Sequence, residues 1–192
     1  MLYCGAVKML TLFDLIPGFA EKQRKKDQKK KPGNKTMPAA VRTESLKRQN
    51  GRPGTMQERY DLLVVKMKQK YGIRVRRWRK SMSGVAWEVH YRDGSVSRLI
   101  ESPYPKGPMS AAIFLHEIGH HAIGFRRYRP RCLEEYHAWK WAVEEMENQG
   151  ILVTERVKKR MHDSLRYAVA KAMRRGLKRL PQELIPYVPE MK

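Results

Sequence analysis

The sequence is short of cysteine and of long apolar runs, and each shortage excludes a class of protein. Only two of the 192 residues are cysteine, Cys4 and Cys132, and neither belongs to a C-x-x-C pair. A disulfide framework is therefore excluded, and a reducing, cytoplasmic compartment is the simplest expectation. No apolar stretch approaches the roughly 18 residues that a membrane-spanning helix needs. The sequence thus predicts no membrane span and, at its mildly apolar start, neither a signal peptide nor an anchor.

Acidic residues are also scarce, which leaves a large positive charge. Lys and Arg total 41 against 19 Asp and Glu, a formal net charge of +22. Residues 1–59 hold 14 basic and 5 acidic residues, and the remainder holds 27 and 14, so both parts are basic. Such a surface attracts polyanions such as nucleic acid, an anionic membrane or an acidic protein. No nucleic-acid recognition module is visible, however, and in "RVRRWRK" a strand with one packed face is favoured over a nucleic-acid surface.

The composition divides the chain near residue 55. The run "EKQRKKDQKKKPGNK" is basic, of low complexity and unable to bury apolar surface, so it is predicted to be disordered. Polar sequence with Gly and Pro continues to about Thr55. We therefore predict a basic, largely disordered segment over residues 1–55 and one folded domain over residues 56–192.

The apolar pattern of the second part predicts an α+β domain. A helix over "MQERYDLLVVKMKQKY" is followed by alternating β-branched and aromatic residues, and Asp93-Gly94 is a hairpin signal. The pattern predicts three antiparallel strands, over about residues 73–80, 85–92 and 95–101. Three more helices follow, over about residues 108–124, 133–148 and 154–175. The Pro-rich C-terminal stretch is expected to pack loosely.

The segment "HEIGH" matches H-E-x-x-H, a pattern that places metal ligands and a base on one helix. Residues i and i+4 of a helix face the same way, so His116 and His120 can bind one metal ion. Glu117 is then expected to act as general base on a water molecule that the metal activates. A helix that carries histidines without a metal is disfavoured, because its apolar surroundings would bury several unsatisfied polar groups. Gly119 costs this helix about 1 kcal/mol relative to alanine, which indicates a second backbone close by.

The following helix offers the third protein ligand that a catalytic zinc needs. At about 100° per residue, Glu135 falls in the middle of the apolar face of "CLEEYHAWKWAVEEM". A carboxylate in that position is costly unless something pairs with it, as a metal would. Glu134, at the edge of the face, is the second candidate for this ligand. The sequence thus favours a zinc site formed by His116, His120 and Glu135.

Other residues near the motif are given lesser roles. His121 points about 100° away from His120 and is expected to pack against neighbours rather than bind the metal. His137 is a weaker ligand candidate, and Cys132 is expected to be a free buried thiol. The basic loop "RRYRPR" would lie near the cleft and favour acidic substrates. The donor for a tetrahedral oxyanion stays open among seven residues: His90, Tyr91, His121, Arg126, Tyr128, His162 and Tyr167.

Together, "LHEIGHH" and "EEYHAWKWA" resemble the zinc metallopeptidases called gluzincins, and among them the small ImmA/IrrE-like type of mobile elements. In that type the second helix has the form E-x-x-A-[N/D]-x-F-A. Four residues match it and Trp139 departs from it, in place of Asn or Asp; the matching residues are Glu135, Ala138, Trp141 and Ala142. The resemblance covers about residues 95–146.

This resemblance implies a zincin-like fold with His116, His120 and Glu135 as zinc ligands and Glu117 as the base. It also implies that the strand around residues 96–100 is the edge on which an extended peptide is laid. The expected function is therefore a zinc-dependent metallopeptidase of phage, plasmid or bacterial origin that acts on a specific protein target.

Two alternatives come from other classes of protein. The first is a basic nucleic-acid-associated protein with a structural or regulatory zinc site. Glu117 is not needed to bind metal, and a structural zinc usually closes all four positions, often with cysteine, whereas only Cys132 is near. Both points favour the enzyme. The second alternative is an inactive H-E-x-x-H protein that keeps the metal and binds a partner, and it requires the same ligands.

Overall fold

The computed structural model describes residues 54–189, and these form an α+β domain, as predicted. Of the predicted disordered segment, residues 1–53 lie outside the described part of the chain. None of the described helices has both the length and the apolar character needed to cross a membrane. In chain order the elements are α1 (Met56–Tyr71), β1 (Ile73–Arg79), β2 (Val85–His90), β3 (Val96–Pro103), α2 (Pro108–Ile123), α3 (Arg131–Asn148), α4 (Glu155–Arg174) and a 3₁₀ helix (Gln182–Tyr187).

The sheet is mixed, which corrects the prediction of three antiparallel strands. β3 lies between the other two strands, antiparallel to β2 and parallel to β1. The Asp93-Gly94 turn does join β2 to β3 as a hairpin. The β1–β2 connector (residues 80–84) instead crosses the end of β3, from Arg79 opposite Pro103 to Val85 opposite Glu101. The alternation of apolar and polar residues within a strand does not indicate which strand is its neighbour in the sheet. The short connector between β1 and β2 therefore suggested a hairpin, and this hairpin does not form.

The same topology overturns the expected role of β3 as the edge strand. Residues 96–100 pair with β2 on one side, and residues 98–100 pair with β1 on the other. Because the strand has a hydrogen-bonded neighbour on each side, it has no free edge for an extended peptide. The edges of the three-stranded sheet are β1 and β2.

Local signals account for the helix boundaries. α1 begins with a capping box, in which the Glu58 amide donates to the Thr55 hydroxyl at 3.3 Å and the Thr55 amide donates to the Glu58 carboxylate at 2.9 Å. It ends at Gly72, whose φ of 61° favours glycine. α2 has Pro108 at its first position, and its end at Gly124 agrees with the sequence.

Helix α2 lies in the core, between β3 on one side and α3 on the other. Every residue from Ser110 to His121 is buried. The helix packs into a cluster of apolar side chains from α1, the sheet, α3 and α4. Its histidines and its glutamate are therefore withdrawn from bulk water, and each needs a partner within the fold.

Gly119 allows α2 and α3 to approach closely, as its place in the middle of a helix indicates. A Cβ atom at this position would lie 2.7 Å from the carbonyl oxygen of Ala138 and 3.2 Å from the Trp141 ring. The first of these contacts is with backbone, which cannot move without shifting α3. The packing of the two helices thus depends on the missing side chain.

Substituting Gly119→Ala is expected to lower the free energy of unfolding by about 1–3 kcal/mol, the usual cost of overpacking a core. The gain in helix propensity of about 1 kcal/mol offsets only part of the clash. Urea unfolding followed by circular dichroism measures the change. Gly107→Ser is the matched control, because nothing lies within 4 Å of a Cβ there and serine is a favourable N-cap. Equal stability of Gly119→Ala and wild type would contradict the close approach.

The C-terminal stretch packs more tightly than its prolines suggest. Residues Gln182–Tyr187 form the 3₁₀ helix against α3 and α4. Leu184 is fully buried in a small cluster that includes Cys132 and Val169. On α4, Leu165 and Val169 are buried, whereas Met173 is exposed.

Candidate metal centre

The structure brings together the three residues predicted to bind a metal. His116 and His120 project from α2, and Glu135 projects from α3. One ligand atom from each lies within 4.8 Å of the others, and all three residues are buried. Nε2 of His116 is 3.4 Å from Oε2 of Glu135, and Nε2 of His120 is 3.7 Å from the same oxygen. This buried His/His/Glu cluster could hold a metal ion.

The protonation states of two of the three residues in the cluster suit a cation. Burial lowers the pKa of His116 to about 4, so this imidazole is neutral. Burial works to raise the pKa of Glu135, but the charge of His120 and the hydrogen bond from His116 bring it down to about 2. A neutral imidazole and an ionised carboxylate are the forms that bind metals.

His120 lies in a strongly negative environment. Burial opposes its protonation, yet the carboxylates of Glu135, Glu134 and Glu117 raise its pKa above the ordinary value. Positive charge is therefore favoured at this point of the fold, and a bound metal ion would supply it in place of the proton. Two imidazoles and a carboxylate are a ligand set that suits zinc.

The carboxylate of Glu134 lies beside Nδ1 of His120, the ring nitrogen on the side away from the three-residue cluster. Its Oε1 is 3.4 Å from Nδ1 of His120, and its Oε2 accepts a 2.8 Å hydrogen bond from the Arg126 amide. Because Nδ1 faces this carboxylate, Nε2 of His120 is left to face Glu135 within the cluster. Glu134, the second candidate for the third ligand, is thus placed to orient His120 and to hold the loop after α2.

If the cluster holds zinc, substituting Glu134→Gln is expected to weaken the binding about 10–100-fold, the usual effect of removing a carboxylate behind a histidine ligand. Glutamine keeps an oxygen for the Arg126 amide, so the loop should be retained. Competition with a chromophoric zinc chelator gives the affinity. Glu144→Gln, an exposed change on the same helix, should leave it unaltered. An unchanged affinity in Glu134→Gln would show that the carboxylate does not orient His120.

His116 is held by packing rather than by a hydrogen bond to its second nitrogen. Its ring stacks on Trp139 with 4.4 Å between centroids and 22° between planes. Its Nδ1 is buried and has no hydrogen-bond partner. Trp139 stands where the resembled peptidases have Asn or Asp, and an indole face positions the imidazole there.

Glu117 is almost completely buried, under the β1–β2 connector. It is 1% exposed, and a Cβ atom at Gly84 would lie 2.5 Å from its Cγ. The charge of Glu117 also reaches His120, since it contributes to the raised pKa of that residue. The carboxylate is therefore close to the cluster but is held separately, against a glycine backbone.

The β1–β2 connector is fastened to the rest of the site by polar contacts. Arg79 donates to the Ser83 hydroxyl at 3.2 Å, and Ser81 and Ser83 hydrogen bond at 2.9 Å. Arg160 of α4 donates from Nη2 to the Met82 carbonyl at 2.8 Å. Main-chain and side-chain contacts together thus hold the loop that covers Glu117.

Sequence reasoning missed Arg160. Its guanidinium is close enough to the cluster for its charge to help lower the pKa of His116, after the larger effect of burial. Burial lowers the pKa of Arg160 itself. The available signal was its spacing: Arg160 follows the buried Val157 by three residues and precedes the buried Ser164 by four. The argument that identified Glu135 on its helix would have found it.

The remaining histidines lie outside the cluster. His121 donates from Nε2 to the Leu99 carbonyl at 3.2 Å, so it packs against the sheet, as expected. His137 stacks on Tyr128 with 3.8 Å between ring centroids. His162 is exposed beside Tyr187, with 5.4 Å between centroids, and Cys132 is free and buried, as expected.

Three of the four arginines of "RVRRWRK" lie near one carboxylate of the fold. Arg76, Arg77 and Arg79 lie 3.6, 3.9 and 3.1 Å from the carboxylate of Glu101. Trp78 packs edge-on against Tyr104, with 4.8 Å between ring centroids. Arg79 is thus partly buried against the fold, whereas Arg74, Arg76, Arg77 and Trp78 are exposed on this edge strand.

Comparisons of the chain with protein-family models, with curated proteins and with solved structures found no match. What the chain does is therefore inferred from the chemistry of the side chains around the cluster.

Proposed function

We propose that this chain is a zinc-dependent metallopeptidase of gluzincin type, which cleaves a peptide bond in a specific protein target. The observation that carries the proposal is the buried cluster of His116, His120 and Glu135 with Glu117 on the same helix as the histidines. A site that only stabilises a fold gains nothing from a further buried carboxylate that is not among the ligands. A hydrolase needs that group as a base.

Each side chain of the cluster has a separate task in this proposal. His116 and His120 would hold zinc through Nε2, and Glu135 would hold it through its carboxylate. Zinc, when bound, supplies a Lewis acid and lowers the pKa of water toward 7. Glu134 and Trp139 keep the two imidazoles in place.

Glu117 is the proposed general base. It takes the proton from the attacking water and later delivers it to the nitrogen of the leaving amine. The connector above it limits the positions that the carboxylate can take, and fixed geometry is a large part of such catalysis.

Arg160 is the proposed donor for the oxyanion that forms when water adds to the carbonyl carbon. Arg160 is a half-buried cation whose charge lowers the pKa of His116 in the cluster. None of the seven residues considered from the sequence combines these two properties. A guanidinium aimed at developing negative charge stabilises it more strongly in a buried site than in water.

The edge of β2 is the proposed track for the substrate backbone, in place of the central β3. β2 pairs on one side only, and it begins at Val85, next to the Gly84 that contacts Glu117. A peptide added to this edge as a further strand would pass the base at the start of β2.

Elemental analysis of the purified chain, wild type beside Glu135→Ala, tests the proposal first. We expect about one zinc per chain in the wild type and a large loss in Glu135→Ala, since two imidazoles alone hold zinc weakly. Glu144→Ala is the control, because this carboxylate is exposed on the same helix. Absence of metal from folded wild type would overturn the proposal.

A degenerate peptide library digested by the zinc-loaded chain, and analysed by mass spectrometry, tests the reaction itself. Cleavage that stops with a chelator and returns with zinc is the expected outcome. A chain that binds zinc but leaves the library and candidate protein partners intact would support the inactive, partner-binding alternative.

A further inference from the structure

A cavity of about 390 Å³ lies beside the cluster and is not used by the proposed reaction. It lies between the beginning of α3 and the end of α4, and the turn after α4 forms part of its wall. Glu135 belongs both to this cavity and to the candidate metal centre. A group bound in the cavity would therefore be next to the cluster. The volume is in the range of pockets that accept small ligands or one or two residues of a peptide.

The charge around the cavity is predominantly positive. Arg131, Lys171 and Arg175 line it, and among its lining residues only Glu135 is acidic. Glu135 is already engaged: Oε2 faces the two histidines, and Oε1 is 3.6 Å from Arg131. Burial lowers the pKa of Lys171, and the nearby charges of Arg175 and Arg131 lower it further. The cations thus repel one another, and an anion between them would relieve the repulsion.

The first turn of α3 adds to the positive potential. The helix begins at Arg131 with Pro130 as its N-cap, and no side chain accepts a hydrogen bond from its first amides. Pro130, Arg131 and Cys132 are all part of the cavity wall. The positive end of the helix dipole therefore faces the same space as the three basic side chains.

The floor of the cavity is apolar. It is formed by Cys132, Ala168, Ala172 and Leu177, of which the first two are buried. The shape suits a ligand that has a short hydrocarbon stem and an anionic head. A solvated basic patch, by contrast, would have no such floor.

We propose that this cavity is a specificity pocket that binds a carboxylate of the peptide substrate. Either an acidic side chain or the C-terminal carboxylate of the substrate provides the group. The inference rests on the proposed function, since the cavity selects a residue next to the bond that is cleaved. A peptide is favoured over nucleic acid because the pocket is small, lies between two helices and is continuous with the cluster through Glu135.

Four short peptides serve as probes of the pocket. Acetyl-Ala-Ala-Glu-amide is compared with acetyl-Ala-Ala-Gln-amide, and acetyl-Ala-Ala-Ala with a free carboxylate is compared with its amide. Dissociation constants are measured by NMR titration of the full chain, both metal-free and zinc-loaded. We expect at least one carboxylate probe to bind about tenfold more tightly than its neutral counterpart in both forms. The pair that shows the difference identifies the source of the carboxylate.

The double variant Lys171→Gln/Arg175→Gln is expected to remove that difference, because it takes two cations from the wall. Arg166→Gln, an exposed change on the same helix that does not line the cavity, should preserve it. Equal binding of charged and neutral probes to wild type would overturn the proposal, as would a difference that persists in the double variant. If a 10-nucleotide DNA displaced the peptides, and its binding depended on Lys171 and Arg175, the pocket would instead be assigned to nucleic acid and the proposal would be overturned.

The metal-free titration separates this proposal from the peptidase proposal. A carboxylate preference in a chain that never binds zinc would establish carboxylate binding in the cavity, but it would refute the enzyme and, with it, the role of the cavity in substrate selection. Zinc-dependent cleavage of the library without any preference for acidic residues or free C-termini, together with equal probe affinities, would refute the pocket alone.

Discussion

Substituting Glu117→Gln is expected to reduce kcat for peptide-bond cleavage by about 10²–10⁴-fold while the chain keeps its zinc. Glutamine has nearly the same shape as glutamate but cannot accept a proton from water. His116, His120 and Glu135 are unchanged, so the ligand set remains complete. The measurement is the initial rate on the best peptide from the library, with zinc content determined on the same sample.

Two controls accompany the comparison of Glu117→Gln with wild type. Glu144→Gln removes an exposed carboxylate from α3 and should leave both rate and zinc unchanged. Circular dichroism of Glu117→Gln should match that of wild type, because the substitution adds no volume. Full activity in Glu117→Gln would show that another group is the base. Loss of zinc from this variant would show that Glu117 is a ligand.

Substituting Gly84→Ala is expected to reduce the rate of cleavage about 100-fold with zinc content unchanged, the typical result of displacing a catalytic group by about 1 Å. A methyl group at this position would lie 2.5 Å from Cγ of Glu117 and even closer to its carboxylate. Either the connector or the glutamate must move. The loss should appear in kcat more than in KM, because the metal ligands lie outside the contact.

The control for this variant is Gly107→Ala, where nothing lies within 4 Å of the added methyl group. It should retain activity. Combining Gly84→Ala with Glu117→Gln should cost little more than Glu117→Gln alone, since both changes act on one carboxylate. Independent, multiplying losses would mean that Gly84 serves the reaction by some other route than Glu117.

The cluster was predictable because its geometry is mostly local. The spacing of His116 and His120 follows from 3.6 residues per turn, and Glu135 was identified by its place on the apolar face of a helix. The cost of a glycine in the middle of a helix was enough to predict a second backbone close to Gly119, and the structure places the Ala138 carbonyl there. In each case one helix carried enough information to indicate what must lie against it.

The rest of the site could not be predicted because it depends on pairings between distant segments. The strand order places β3 in the centre, and nothing in the alternation of β1 distinguishes that order from a meander. The contact of Gly84 with Glu117 and the bond from Arg160 to Met82 both follow from that order. Glu134 needed a loop conformation, with Arg126 at a φ of 62°, that the sequence does not encode in any simple pattern.

The close approach of α2 and α3 at Gly119 has a thermodynamic consequence, because it places the ligands of both helices in one rigid unit. A metal that binds only this arrangement shifts the folding equilibrium toward it, by about 4 kcal/mol when free zinc exceeds its dissociation constant a thousandfold. Such a shift is comparable to the whole stability of many small domains. If zinc is that metal, its supply in the cell would determine how much of this chain survives quality control.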